Sequence, residues 1–333
     1  MSHGRALLVA PRFFGYEQEI RDQMERSGWA VDMLPDRPFD TALLKAVART
    51  APRLTEPAAD RFYAAELRRL AATRYDLLLV IQGECVFEPT LRLLRTAYPT
   101  ARMVFYTWDS LSNKPQTRRR LRFYDQCFSF DESDAASCRI DFRPLFFTPG
   151  FERAAPAEPT WDISFVGTIH SDRYRIVKAL QAELPDPARG CWYLYLQAPW
   201  MYAARKVLTN TIAGATRSEF RFEPLPKARV QEIFFRSRAV LDIEHPAQHG
   251  LTMRTLEALG SRTKLVTTNA TASACDFFDR QNIAIVDRRR PRIPPGFLTT
   301  PFRPLAEEIY DRYRLATWVR EVCGPLPERG SPG

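Results

Sequence analysis

No window of this 333-residue chain approaches the roughly 20 consecutive apolar residues that a spanning helix needs, so any membrane contact is predicted to be peripheral. The opening SHGRALLVA has too short an apolar run for a targeting segment and reads as a first strand. The six cysteines are scattered without a CxxC pair, as expected of reduced, mostly buried thiols in a cytoplasmic protein. The phosphate-loop pattern GxxxxGK[ST], the dinucleotide pattern GxGxxG and the nucleophile elbow GxSxG are all missing. No short-period repeat is visible. His245 and His249 are four apart, but Pro246 lies between them and the segment follows a strand, so helical spacing does not apply and a zinc site is rejected.

What is present is an ordinary globular composition, 45% hydrophobic and 26% charged. The length suits two domains of roughly 150 residues each. Forty-eight Lys and Arg against 39 Asp and Glu give a formal charge of +9, which favours nucleotide phosphates, other polyanions or an anionic membrane surface without choosing among them. Apolar runs at residues 5–10, 29–34, 75–82 and 102–107 alternate with helical patterns and predict parallel β-α-β units. A short strand at 126–130, a helix at 131–138 and a strand at 142–147 follow. The proline-marked stretch 148–160 reads as a domain linker. A second α/β run starts at Trp161, and the tail 305–323, with Ile309, Tyr313 and Trp318 on one face, is predicted to be one helix packing back on the first domain.

The second half is organised around LDIEHPAQHGLTMRTLEALGSRTKLVTTN, residues 241–269, a strand, loop, helix and strand. Gly250 allows close backbone approach, and Thr252 to Arg254 lie at a helix N-terminus that favours an anion. Arg254 and Glu257 share a helix face, so the arginine can meet a diphosphate while the glutamate accepts from ribose hydroxyls. The plainer alternative is a local ion pair on a surface helix. Leu256 and Leu259 supply the core face elsewhere, which favours the binding role. A second loop, GTIHSDR at 167–173, offers Gly167, Thr168, His170 and Arg173 ahead of a helix, with Lys178 one to two turns on.

In the first half, Glu84 and Asp109 follow successive strands and fall at one sheet edge, where either carboxylate can act as general base on an acceptor hydroxyl. Asp109 reads equally as a cap or turn residue, and Tyr106 and Trp108 as sugar-stacking or core. The arginines of TRRRLR, 117–122, form either a solvated helix face or a patch for an anionic acceptor or lipid head groups.

Four segments in order, YTWDSLSN at 106–113, FSFDESDA at 128–135, DISFVGTIHSDRYRI at 162–176 and the 241–269 stretch, resemble bacterial glycosyltransferases of polysaccharide biosynthesis and of the spore-maturation CgeB type. The resemblance spans about residues 75–320. It implies an α/β GT-B fold of two Rossmann-like domains with parallel sheets facing a cleft, the donor nucleotide held mainly by the second. It places His170, Arg173, Gly250, Thr252, Arg254 and Glu257 at the donor site, and Asp109 in a characteristic first-domain motif. In the better-known retaining enzymes of this fold a Glu stands where this chain has His249, and the glycine-to-Glu257 spacing here is longer, so their mechanism is not carried over.

The resulting expectation is a sugar transferase building a surface polysaccharide from a nucleotide-activated donor, itself a substrate, on a glycan or lipid-linked acceptor. Its domains would be 1–150 for the acceptor and 151–303 for the donor, then a helix at 304–323 and a flexible tail at 324–333. Arg173, Lys178, Arg254 and helix amides would neutralise the leaving diphosphate without a metal or cofactor. If the reaction inverts, Asp109 or Glu84 is the base. The rival readings are an epimerase or phosphorylase on the same fold, or a non-catalytic nucleotide- or carbohydrate-binding subunit. Nucleic acid is not an expected partner. The expected location is cytoplasmic, with peripheral contact at the inner membrane face left open.

Overall fold

The apolar runs of the first half form parallel strands, the central ones covered on both faces. Leu77–Ile81 is buried at every position, which is why its sequence does not alternate. The computed structural model describes residues 4–39, 52–111, 114–153, 158–209, 211–246 and 250–325. In it the chain divides into two units, Met1–Pro144 with Leu315–Gly333, and Leu145–Arg314.

The first unit's strands are β1 (Gly4–Ala10), β2 (Trp29–Pro35), β3 (Leu77–Ile81), β4 (Arg102–Thr107), β5 (Gln126–Ser129) and β6 (Asp141–Phe142). They pair in parallel in the order β2-β1-β3-β4-β5-β6. Helices α1 (Tyr16–Arg26), α2 (Glu56–Arg69), α3 (Glu88–Ala97), α4 (Pro115–Arg120) and α5 (Glu132–Cys138) connect them. One face of the sheet buries Leu7, Val9, Leu78 and Val80 against Tyr63, Leu67, Leu91 and Leu94 of α2 and α3.

The second unit repeats the plan. It runs β7 (Trp161–Thr168), α6 (Arg173–Ala182), β8 (Gly190–Tyr195), α7 (Pro199–Leu208), β9 (Phe220–Arg221), α8 (Lys227–Phe235), β10 (Ser237–Asp242), α9 (Met253–Gly260), β11 (Lys264–Thr267), β12 (Ile283–Ile285) and α10 (Glu307–Arg312). The parallel order is β12-β11-β10-β7-β8-β9. The strand order therefore reverses between β1 and β3 in one sheet and between β7 and β10 in the other. At such switch points the connections leave toward opposite faces and open a crevice at the carboxyl ends of the strands.

Three details differ from the sequence reading. The strand expected at 142–147 stops at Phe142, because Pro144 has no N–H for the ladder and the Arg143 carbonyl accepts from the Tyr106 hydroxyl at 3.0 Å. The stretch read as a linker is anchored, since Phe151 within it packs on Phe234 (5.6 Å between centroids) and Phe147 just before it on Tyr310 (4.8 Å), all in the second unit. The tail is two helices, not one. α10 and α11 (Leu315–Cys323) are separated where Phe147 N–H donates to the Tyr313 carbonyl at 2.9 Å and Phe147 bridges Arg314. Consequently Tyr313 faces Phe277 in the second unit while Trp318, fully buried, meets Tyr106 in the first. Among the described residues no helix is long and apolar enough to cross a membrane.

Gly260, the last residue of α9, lies against the buried Phe147. A Cβ there would fall 2.6 Å from the ring, and the Gly260 carbonyl also accepts from Tyr310 at 2.6 Å. Gly260→Ala is expected to destabilise the second unit by about 1–3 kcal/mol through overpacking, read as a lower urea midpoint at unchanged slope. An unchanged midpoint would show that the ring yields freely.

Candidate functional site

At the second unit's switch point the loops after β7 and β10 are tied together by one side chain. Arg173, the first residue of α6, donates from Nε to the Ile243 carbonyl at 2.7 Å and from Nη1 to the Thr168 carbonyl at 2.9 Å. Burial, and then the nearby Arg254, lower its pKa to about 10, so it is still a cation at neutral pH. Arg288, beyond β12, extends the frame. It donates to both carboxylate oxygens of Asp172 (2.9 and 3.0 Å) and to the Glu244 carbonyl (2.8 Å), and pairs with the Glu244 carboxylate. Thr268, after β11, donates to the same carboxylate. The ends of four strands are thus held in one network.

The start of α9 is fixed just as firmly. Asp242, fully buried at the end of β10, accepts from the hydroxyls of Thr252 and Thr255, both at 2.8 Å. Thr252 is the N-cap, accepting from Thr255 N–H at 3.3 Å. The Gly250 carbonyl receives Asn269 Nδ2 at 3.1 Å. Glu257 is buried one turn after Arg254. His249 lies outside the described residues.

Arg254 stands apart from this frame. Its Nε is buried without a hydrogen-bond partner, and its guanidinium lies 5.8 Å from the Phe165 ring centroid. Nη1 is 3.4 Å from where a Cβ on Gly167 would sit, so the absence of a side chain at Gly167 leaves room for the arginine beside the end of β7. A part-buried cation beside a second cation, Arg173, is a site that favours an anion. Lys178 is not part of the group. Its Nζ is 3.2 Å from Glu219, which also receives the Tyr174 hydroxyl.

The sequence reading missed Arg205. This residue on α7 also has a buried Nε without a partner, and its charge acts on His170. The only signal in the sequence was a lone arginine on an amphipathic helix. His170 packs 5.4 Å from the His245 ring, centroid to centroid, and its Nδ1 is 3.1 Å from Ser171 Oγ. Burial, then Arg173, His245 and Arg205, push its pKa down to about 4.

In the first unit the two predicted carboxylates do meet. Lys114 Nζ is 2.6 Å from Glu84 and 2.7 Å from Asp109, and Arg37 pairs with the other Glu84 oxygen at 2.5 Å. Gln82, in the left-handed region at φ 69°, donates to Asp109 at 2.6 Å and accepts from the Thr107 hydroxyl at 2.8 Å. Both contacts to Asp109 fall on Oδ2, leaving Oδ1 on a side chain that is 48% exposed. Glu84, paired on both oxygens, positions Lys114. Beside them Asp36 is buried completely, and burial followed by the Glu84 charge raises its pKa to about 7.

The neighbouring motifs are structural. Asp134 accepts from the Ser110 hydroxyl at 2.9 Å and from Leu111 N–H at 2.5 Å, so FSFDESDA clasps the loop that carries Asp109. Tyr106 is core, while Trp108 lies 6.2 Å from Phe13, which is half exposed. The basic patch is dispersed, with Arg120 donating to the Gly83 carbonyl (3.0 Å), Arg118 to the Ser137 carbonyl (3.0 Å) and Arg122 pairing with Glu88 (3.2 Å).

No family model and no curated protein matches the chain. Solved structures do. HepE of Anabaena, in complex with UDP and glucose, is similar with a TM-score of 0.63 at 11% identity over 96% of this chain and 98% of that one. A UDP-forming α,α-trehalose-phosphate synthase of Burkholderia xenovorans, in complex with glucose-6-phosphate, gives 0.60 at 12% over 96% and 100%. OtsA in its apo form gives 0.57 at 13% over 96% and 92%. With its two parallel six-stranded sheets and their helices, the chain has the α/β fold of the GT-B glycosyltransferases.

Because the folded chain keeps His170 neutral where the unfolded chain takes up a proton, this histidine's contribution to stability is fully present above about pH 6.5. It is lost as the pH falls toward 4. His170→Asn is therefore expected to flatten the fall in unfolding free energy between pH 7 and 4.5, measured by urea titration at several pH values. An identical slope in the variant would refute the assignment.

Proposed function

We propose that this chain is a glycosyltransferase that moves a sugar from a nucleotide-activated donor to a glycan or lipid-linked glycan acceptor in surface polysaccharide synthesis. The observation that carries the reading is Arg254, a part-buried arginine whose Nε has no hydrogen-bond partner, at the switch point of a parallel sheet next to Gly167 and Arg173. A leaving nucleoside diphosphate would supply the anion this pair lacks. HepE, similar in fold, is described with UDP and glucose, which supports a nucleoside diphosphate as the leaving group here.

In this reading Arg254 and Arg173, with the amides at the start of α9, meet the charge that develops on the departing diphosphate. Glu257 accepts from the ribose hydroxyls, and neutral His170 acts as an uncharged hydrogen-bonding partner. Arginine charge performs the neutralisation, so the scheme calls on no metal ion. In the first unit, Asp109 Oδ1 takes the acceptor's proton if the reaction inverts, while Glu84 and Arg37 hold Lys114 against its other oxygen. In this reading the reaction takes place in the cytoplasm.

A thermal-shift and calorimetric screen of nucleoside diphosphates should find one that stabilises the protein. Arg254→Ala should weaken its binding about ten- to a hundredfold, as expected for loss of a charged hydrogen-bond donor. Asp109→Asn should keep that binding and lose transfer by about a hundredfold or more. Wild-type nucleotide affinity in Arg254→Ala, or consumption of donor with no acceptor present, would overturn the reading.

A further inference from the structure

Helix α7 has no fully buried residue, and three of its large apolar side chains lie in solvent: Trp200 is 70% exposed, Val207 81% and Leu208 78%. At 100° per residue, positions 200, 204, 207 and 208 fall on one side of the helix, so these side chains form a stripe with Ala204 between them. The helix is nevertheless firmly seated. Tyr202, on the other side, packs 5.5 Å from the Phe220 ring centroid and donates its hydroxyl to the Ala215 carbonyl at 2.9 Å. The exposure thus belongs to an anchored helix with a defined outward face.

We propose that this face of α7 docks on an anionic lipid surface. Charge points to that occupant. From Leu196 to Ser218 the chain contains no Asp or Glu, while Arg205, Lys206 and Arg217 are present, and Lys206 and Arg217 are exposed. A tryptophan and aliphatic side chains on one side, on a stretch whose cations, Lys206 over Tyr202 on the other side and Arg217 beyond the helix, face no carboxylate of that stretch, is the composition of a helix that lies in the headgroup region. Size points the same way. The three side chains expose on the order of 400 Å², against about 800 Å² for each partner in a stable protein interface. A bilayer demands no such complementary area. The proposal stands independently of sugar transfer, since it concerns binding to lipid alone.

The test is co-sedimentation of the full chain with vesicles of phosphatidylcholine alone and of phosphatidylcholine with phosphatidylglycerol, at low and high salt. The wild type should bind the anionic vesicles, less so at high salt, with a blue shift in tryptophan emission that Trp200→Phe reduces. The variant W200S/V207S/L208S should bind at least about tenfold more weakly while keeping the wild-type Tm and nucleotide affinity. Equal binding by wild type and triple variant, or no binding by the wild type, overturns the proposal. So does a wild-type dimer that the triple variant abolishes, which would make the face a contact between copies of this chain.

Discussion

Arg173 solves a problem set by the sheet in which it lies. Where β7 and β10 run side by side, their connections leave toward opposite faces, so ladder hydrogen bonds end, and among the described residues no backbone hydrogen bond joins the two loops. A guanidinium with donors directed at two carbonyls, Thr168 and Ile243, closes that gap without filling it. Arg288, Asp172, Glu244 and Thr268 then hold the outer strands, and Asp242 sets the start of α9. Within this frame, the unpartnered Nε of Arg254 is informative, because Arg173 and Arg288 beside it are committed to protein acceptors.

The first unit uses opposite charge for a comparable purpose. Two carboxylates at adjacent strand ends would repel each other, and Lys114 between them turns the repulsion into a rigid triad. Gln82 contributes through a left-handed backbone that brings its amide to both Thr107 and Asp109. Asp36, buried beside Glu84 and kept largely protonated at mildly acidic pH, avoids adding a third negative charge to the group there.

Local and periodic features were legible in the sequence. Parallel strands buried on both faces appear as unbroken apolar runs, and a glycine ahead of a helix marks a strand's carboxyl end, so the sheets and the Gly167 and Gly250 loops could be placed. Features that depend on distant partners were hidden. Arg288 meets Asp172 across more than a hundred residues, and Lys178 finds Glu219 in place of the phosphate-binding role its spacing suggested. The arginines of TRRRLR looked like a patch because a sequence does not show the carbonyls of Gly83 and Ser137 that take them up. Tyr106 was ambiguous for the same reason, its partner Trp318 being far along the chain.

That partner has a consequence for how the protein is made. The first unit is discontinuous, and α11 supplies it with the buried Trp318 and with carbonyls of Val322 and Cys323 that receive Arg102. During synthesis from the N-terminus, the second unit has its whole sequence available once Arg314 is translated, whereas the first still waits for Leu315–Cys323, far downstream of a sheet that ends at Phe142. Tyr106 and the side of β4 that carries it must stay uncovered by α11 until then. The half that begins the chain is therefore the last to close.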